Sequence, residues 1–384
     1  MFWNGASNIA SPGITIDMRF IDSFSLSSNK KVASVGPGSN WVRFITTSQF
    51  NLTAVGARSN TVGLGGFLLG GGISNLGPQH GFANDNIVNY QVVLANGQIT
   101  ECNPTSNADL FWALKAGSTN FGIITRYDIS TYPVAKEREI SDAFIIFMKK
   151  LEEFPLGGAS FISGFNGGQD TLVAGFAYVG ADGSHTELFS DMLAVTGVTA
   201  DTLRPNVNQV NISAEIDAAF PPGMRTQWGT MTFKANTKLA LDISAKGREM
   251  FKPFTGRPGF SFNVGYQSLA APMLAASHAK NNAQGLSAAN GDLFLLNIFA
   301  YWDDASDDAA MNTTIRAMIS YANTEAKARG LWNPWLYLNY AFPGEAVYQG
   351  YGAANLARLQ QVQNKYDPDR VFEALWSGGF KLPK

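Results

Sequence analysis

Cysteine is almost missing from this chain. Cys102 stands alone among 384 residues, which excludes an internal disulfide and any cysteine-built metal cluster. It reads as a small apolar residue, with a redox role as the alternative. Histidine is nearly as scarce, and His80, His185 and His278 are too widely separated to give a paired metal-ligand spacing. Charge is thin as well: 15% of the residues are Asp, Glu, Lys or Arg and the net charge is -2. That balance argues against nucleic acid or an anionic membrane as the main partner and favours a small, largely uncharged ligand. No apolar run reaches the roughly 18 to 20 residues that cross a bilayer. The first residues show no basic stretch followed by an apolar core, so the chain as written shows no signal peptide and its compartment stays open. Sequons at Asn51, Asn211 and Asn312 would permit glycosylation after secretion.

Glycine, by contrast, is plentiful and concentrated. The run Gly63-Leu64-Gly65-Gly66-Phe67-Leu68-Leu69-Gly70-Gly71-Gly72 holds six glycines in ten residues. Its backbone either turns tightly against a flat or anionic ligand or forms a glycine-rich strand and bend. It is not a Walker loop, because Ile73-Ser74 follows where Lys-Ser/Thr is required, and the G-x-G-x-x-G register fails at Leu68. Downstream come Gly81-Phe82-Ala83-Asn84-Asp85-Asn86, a strand at Val92 to Leu94, a turn at Asn96-Gly97 and a short return strand. Asn107-Ala108-Asp109-Leu110-Phe111-Trp112-Ala113-Leu114 reads as a capped helix, and Asn120-Phe121-Gly122-Ile123-Ile124-Thr125 follows.

This order of segments resembles the flavin domain of the vanillyl-alcohol oxidase superfamily, and specifically its berberine-bridge-enzyme-like branch of FAD-linked oxidases. The resemblance implies an α+β fold. A discontinuous PCMH-type FAD-binding domain (residues 1–133 and 341–384) would hold a substrate domain (134–340) whose antiparallel sheet is backed by helices. It also implies that Gly63, Gly65, Gly66, Gly70, Gly71, Gly72, Ser74, Asp85, Asn120, Gly122 and Ile124 meet FAD, the glycines by close backbone approach. For Asp85 the residues themselves leave a second reading open, that of a turn residue bonding its own backbone.

Gly13 to Met18 reads as an apolar strand already inside a sheet. In the family that strand follows an R-S-G-G-H loop, which holds the FAD pyrophosphate and whose histidine often carries the flavin covalently. Met1 to Asn8 stands there instead. The expectation is therefore an N-terminally truncated chain in which covalent attachment through the usual histidine is not possible. The cysteine that some relatives use is replaced by Arg58-Ser59-Asn60. After Val32 to Val35, a helix is expected to turn Trp41, Phe44 and Ile45 to the core.

Beyond Pro133 the pattern changes. Helices are expected at 135–154, 186–194, 238–251 and 304–328, with strands at 159–165, 171–179, 230–233, 260–265 and 293–302, an arrangement without strict βαβ alternation. Trp228, Phe233, Phe262, Tyr266 and Tyr301 are either pocket-lining or core. In Asn333-Pro334-Trp335-Leu336-Tyr337-Leu338-Asn339-Tyr340, alternation on a strand would turn Tyr337 and Asn339 to one side, with Tyr340 at the end. Y-x-N-Y is a family signature, so the resemblance implies Tyr340 as the catalytic base, with Tyr337 and Asn339 beside it. The tail, with Lys365-Tyr366-Asp367-Pro368 and Val371-Phe372, matches the family's closing helix.

The implied activity is an FAD-dependent oxidase that takes hydride from an alcohol or activated carbon of a secondary metabolite, with O2 as acceptor. A carbohydrate is the alternative substrate. A non-redox cyclase on the same fold and an inactive remnant are the rival readings. Oligomeric state is not legible.

Overall fold

The computed structural model of the protein describes residues 13–41, 52–57, 61–74, 76–133, 157–166, 169–178, 223–376 and 378–383. The expected helices at 135–154 and 186–194, the helix carrying Phe44 and Ile45, and the segment Arg58 to Asn60 lie outside those residues. The architecture is α+β, with antiparallel sheets and helices segregated around them.

The chain opens with β1 (Phe24–Leu26) and β2 (Val32–Val35), followed by β3 (Leu52–Thr53), α1 (Leu64–Leu69) and α2 (Gly77–His80). Next come β4 (Ile87–Val93), β5 (Ile99–Cys102), α3 (Ala108–Leu114), β6 (Ile123–Ser130) and β7 (Tyr132–Pro133). Strands β1, β2, β6, β4 and β5 pair in that order into one sheet, while β3 and β7 form a small ribbon. The β4–β5 connection is tight because Gly97 accepts φ +81° and donates its N–H to Leu94 O at 2.9 Å.

Two expectations fail in this half. Gly13 to Met18 joins no ladder among the described residues, and Ile14 and Ile16 are 86% and 61% exposed. Apolar alternation alone does not make a strand when no partner edge lies beside it. Asn107 does not cap α3 with its side chain. It sits at φ +49° and its amide instead donates to Thr100 Oγ1 and Glu101 O.

The second sheet is built from β8 (Gly157–Asn166), β9 (Gln169–Tyr178), β10 (Arg225–Lys234), β11 (Ser261–Leu269), β12 (Leu293–Trp302) and β13 (Trp332–Asn333). Its strands run in the order β13-β10-β12-β11-β8-β9, all antiparallel. Helices α4 (Thr237–Phe251), α5 (Ala271–His278) and α6 (Asp308–Ala328) fall between these strands. Every residue of β12 is buried, as a central strand covered on both faces should be. Residues directly opposite in an antiparallel register share a face, and the two faces of this sheet have different partners.

One face carries Met231, Phe233, Phe262, Tyr266, Phe294 and Ile298 into a core with α4 and α6. Each large apolar side chain there contributes about 1.5–3 kcal/mol by leaving water. Helix α6 comes close because a Cβ on Gly229 would stand 2.0 Å from Ile319 Cδ1. The other face carries Trp228, Leu295, Phe299 and Tyr301 into the core of the first sheet. Of the five aromatic pocket candidates, Phe233, Phe262 and Tyr266 are thus on the wrong side of the sheet to line a pocket between the layers. Only Trp228 and Tyr301 face inward.

Helices α7 (Ala353–Tyr366) and α8 (Val371–Leu375) close the chain. They return to the first sheet: the Arg358 guanidinium lies 3.9 Å from the centroid of the Trp112 ring, Tyr366 donates to Asp109, and Gln363 Nε2 donates to Asn120 O.

Candidate active site

The glycine run divides in two. Its first half is α1, with Gly65 and Gly66 inside the helix, so neither a strand nor a continuous loop runs from Gly63 to Gly72. Only Gly70 to Gly72 runs on beyond the helix as a strip of backbone without side chains. Gly71 and Gly72 adopt φ of +108° and +87°, a region that side chains disfavour. Asn84 N–H donates to Gly71 O and Ala83 N–H to Gly72 O, so the Phe82 to Asn86 turn is laced along one edge of the strip.

The Y-x-N-Y segment docks on the same strip, but as a turn. Strand β13 ends at Asn333 because Pro334 has no N–H to continue the ladder. The chain then folds so that Tyr340 N–H donates to Tyr337 O at 3.0 Å. Ile73 N–H and Asn339 Nδ2 both donate to the Tyr337 hydroxyl oxygen at 3.1 Å, and Asn339 Nδ2 also reaches Phe67 O at 3.3 Å. The contact is close enough that a Cβ on Gly70 would stand 2.1 Å from Asn339 Oδ1. The Tyr340 ring meets that of Tyr337 edge-on at 4.8 Å and tilts against Trp228 at 5.1 Å. Its oxygen accepts from Gln267 Nε2 at 3.1 Å. Tyr337, Asn339 and Tyr340 are therefore brought together between the strip and the inward face of the second sheet.

The remaining candidates separate by their partners. Asp85 sits one turn away: its Oδ2 accepts from Phe82 N at 2.8 Å and its Oδ1 from Asn282 Nδ2 at 2.7 Å. That is the geometry of a turn residue bonding its own backbone, extended by a tie to the segment after α5. Burial pushes its carboxyl up to about 6, against the lowering effect of its hydrogen bonds and of Lys115. Burial likewise depresses the Lys115 ammonium to about 8. Ser74 Oγ accepts from Leu76 N. Asn120 is committed to the C-terminal segment, donating to Tyr348 Oη and Phe380 O and accepting from Leu382 N. Gly122 makes room for Val92, whose Cγ1 would lie 2.4 Å from a Cβ there, and Ile124 is a buried β6 residue opposite Val92. Gly63 has open space around it, and Gly65 O accepts from the Tyr127 hydroxyl.

Sequence reasoning passed over two residues at this site. Asn84 is fully buried, yet neither its Oδ1 nor its Nδ2 has a partner among the described residues. The same holds for both carboxamide atoms of Gln284, which is 1% exposed. Its Oε1 lies 3.2 Å from where a Cβ on Gly71 would stand. Asn339 Oδ1 is likewise without a partner. Buried amide atoms left unpaired are costly, and five of them, on Asn84, Gln284 and Asn339, around a strip with no side chains of its own suit a flat, heteroatom-rich ligand such as a flavin. Among the described residues no group of His, Cys, Asp and Glu converges as a metal site, and no described helix is long and apolar enough to cross a membrane.

The FAD-dependent monooxygenase tpcD of Cochliobolus heterostrophus is 30% identical to this chain over 410 residues, covering 98% of this chain and 77% of the relative. The FAD binding domain family matches residues 3–103 and the berberine and berberine-like family residues 336–375. The chain is a berberine-bridge-enzyme-like FAD-linked oxidoreductase. Another relative of this flavoprotein is the FAD-dependent monooxygenase drtC of Aspergillus calidoustus, 28% identical with 99% of this chain and 75% of the relative covered. Solved structures share the fold. The 6-hydroxy-D-nicotine oxidase of Arthrobacter nicotinovorans superposes with a TM-score of 0.79 at 17% identity, covering 97% of this chain and 82% of that one. Berberine bridge enzyme from Eschscholzia californica gives 0.75 at 16% identity, covering 98% and 82%. The carbohydrate oxidase of Microdochium nivale gives 0.74 at 21% identity, covering 96% and 82%.

Proposed function

We propose that this flavoprotein oxidises a neutral, hydroxyl-bearing small molecule held between the Gly70–Ile73 strip and the inward face of the second sheet, with Tyr340 as the proton acceptor. The observation that carries this reading is the docking of the Tyr337 to Tyr340 turn on the strip. Two N–H donors converge on the Tyr337 oxygen, which fills the acceptor capacity of a phenol. Tyr337 is therefore the positioning residue, clamped by Ile73 and Asn339. Tyr340, one ring further from the strip, lies against Trp228 and takes its orientation from the Gln267 amide. Reacting as the phenolate, its oxygen takes the substrate hydroxyl proton and becomes the neutral phenol. Bound FAD supplies the two-electron acceptor for the substrate carbon, and O2 is the terminal oxidant. Asn84, Gln284, Asn339 and the amides of the strip are the groups suited to holding FAD.

The substrate class follows from the opposite wall. From Thr226 to Thr232, Ser261 to Leu269 and Leu293 to Tyr301, the inward positions are Thr, Ser, Asn, Gln, Gly, Leu and aromatic residues, with no charged side chain. Trp228 and Phe299 stack at 4.2 Å, an apolar platform beside amides that can bind hydroxyls. An aromatic or polyhydroxylated metabolite fits this wall, and a carboxylate or ammonium does not. Because the curated relatives are named FAD-dependent monooxygenases, a second reading has one oxygen atom entering the product. Labelled dioxygen distinguishes the two, since label in the product favours that reading and label confined to hydrogen peroxide favours the oxidase.

The test is anaerobic flavin bleaching with a panel of neutral aryl alcohols, phenols and oligosaccharides. Tyr340→Phe should slow bleaching roughly 10²- to 10⁴-fold with substrate affinity nearly kept. Loss of the same size in Tyr337→Phe alone, with Tyr340→Phe near wild type, overturns the assignment of the base.

A further inference from the structure

The Gln284 side chain is held where it is by its surroundings, and yet its carboxamide has no hydrogen-bond partner among the described residues. Its segment follows α5 and is fixed at both ends. The Gln284 N–H donates to Asn282 Oδ1 at 2.9 Å, and the Asn282 amide is tied to Asp85 and Ser277. On the other side, Gly285 takes φ +75° and its Cα is pressed so near Tyr351 that a Cβ would stand 2.2 Å from Tyr351 O. The backbone therefore cannot withdraw the side chain. The carboxamide comes to rest over Gly71, whose missing Cβ would also lie 3.5 Å from Tyr337 Cε2. Neither Oε1 nor Nε2 has a hydrogen-bond partner among the described residues.

A carboxamide presents one acceptor and one donor side by side in a plane. Its full complement is another cis –CO–NH– edge, which accepts from the Nε2–H and donates to the Oε1. We propose that Gln284, reaching across from the second sheet's side, pairs through both atoms with the imide edge of the flavin pyrimidine ring, at N3–H and one flanking carbonyl. This rests on the FAD reading above. It accounts for the positive-φ glycine at 71 together with the buried, unpaired amide: removing the Cβ opens the strip, and the amide reads the ring edge laid along it. Pairing this edge would orient the ring relative to Tyr337 and Tyr340, so Gln284 acts as a binding and positioning residue.

The test is Gln284→Leu in the full chain, close in volume and without polar atoms. Replacing a buried unpaired amide by an apolar group should raise the melting temperature of the FAD-free protein, while FAD affinity falls about 10- to 100-fold. In the FAD-loaded protein the ring carbonyl stretch, seen in infrared spectra with carbon-labelled FAD, should move to higher frequency. Wild type should discriminate against 3-methyl-FAD, which lacks the N3–H, and Gln284→Leu should not. Equal destabilisation of the free and loaded forms makes the residue merely structural and overturns the proposal. So does an unchanged carbonyl band, or unchanged discrimination in a variant that still binds FAD. A Gln284→Glu variant, isosteric and still able to accept from N3–H but no longer able to donate to the ring carbonyl, guards against misfolding and should keep that discrimination while binding FAD more weakly than wild type; loss of the discrimination in this variant, or FAD affinity equal to wild type, refutes the paired contact. Wild-type protein that takes up no FAD overturns the cofactor reading itself, an outcome separable from the others because it appears without any substitution.

Discussion

The contact between Gly70 and Asn339 joins the glycine run to the Tyr337–Tyr340 turn, and Gly70→Ala is the substitution that probes it. Gly70 sits at φ -99°, a value any residue adopts, so the substitution strains no dihedral and its effect comes from contact alone. The new methyl would stand 2.1 Å from Asn339 Oδ1, 2.6 Å from Cγ and 2.9 Å from Nδ2, so the whole carboxamide must move. Asn339 is 6% exposed, and moving it breaks the bonds from its Nδ2 to Phe67 O and to the Tyr337 hydroxyl. Two buried hydrogen bonds at about 1 kcal/mol each, with about 1–3 kcal/mol for overpacking, give a loss of about 3–5 kcal/mol. Urea unfolding of the FAD-loaded protein at neutral pH measures it. The double variant Gly70→Ala/Asn339→Ala removes the obstacle, so it should be more stable than the sum of the single effects by about 2 kcal/mol or more. Strict additivity, or a Gly70→Ala variant within about 0.5 kcal/mol of wild type, refutes the claim that the two segments are in contact here.

Three further outcomes follow from the same geometry. Asp85 has its folded carboxyl raised by burial from 3.8 to about 6, so the folded protein keeps a proton that the unfolded chain has released in that window. Stability from this group is therefore present at about pH 4 and lost as pH rises through about 6, by up to about 3 kcal/mol. The urea midpoint of wild type minus that of Asp85→Asn should fall across this range, and a flat difference contradicts the burial argument. Gly122→Ala drives a Cβ to 2.4 Å from Val92 Cγ1 and 2.8 Å from Val93 O, and should lower stability by about 2–3 kcal/mol in thermal unfolding. Tyr348→Phe removes an oxygen that accepts from Asn120 Nδ2 and donates to Gly117 O, and should cost about 1–2 kcal/mol without changing the flavin spectrum.

Which parts were legible in the sequence depends on what each pattern constrains. The run Leu293 to Trp302 was bounded correctly because a strand buried on both faces needs apolar residues throughout. The Asn96-Gly97 turn was readable because glycine supplies the positive φ that the hairpin needs. The Y-x-N-Y segment misled because four residues with period two fit a turn as well as a strand, and Pro334 was the signal that the ladder had already stopped. The Gly63–Gly72 run misled in its first half, where Leu64, Leu68 and Leu69 are all buried and packing overrides the low helix propensity of glycine. Strand alternation can show which side chains of one strand share a face but not which face looks inward, so Phe233, Phe262 and Tyr266 could not be told apart from Trp228 and Tyr301. Gln284 left no sequence signal, and Asn84 was marked only as part of the Gly81–Asn86 segment, because a polar residue in a loop looks solvent-exposed until the fold buries it.

The most direct test of the account is the flavin content of the purified full chain, measured as absorbance and as FAD per chain after release. The geometry of the Gly70–Gly72 strip and the unpaired side-chain atoms of Asn84, Gln284 and Asn339 predicts a yellow protein carrying close to one FAD per chain, whose Gly70→Ala form carries much less. A folded, cooperatively unfolding wild-type protein that is colourless and takes up no added FAD would contradict it.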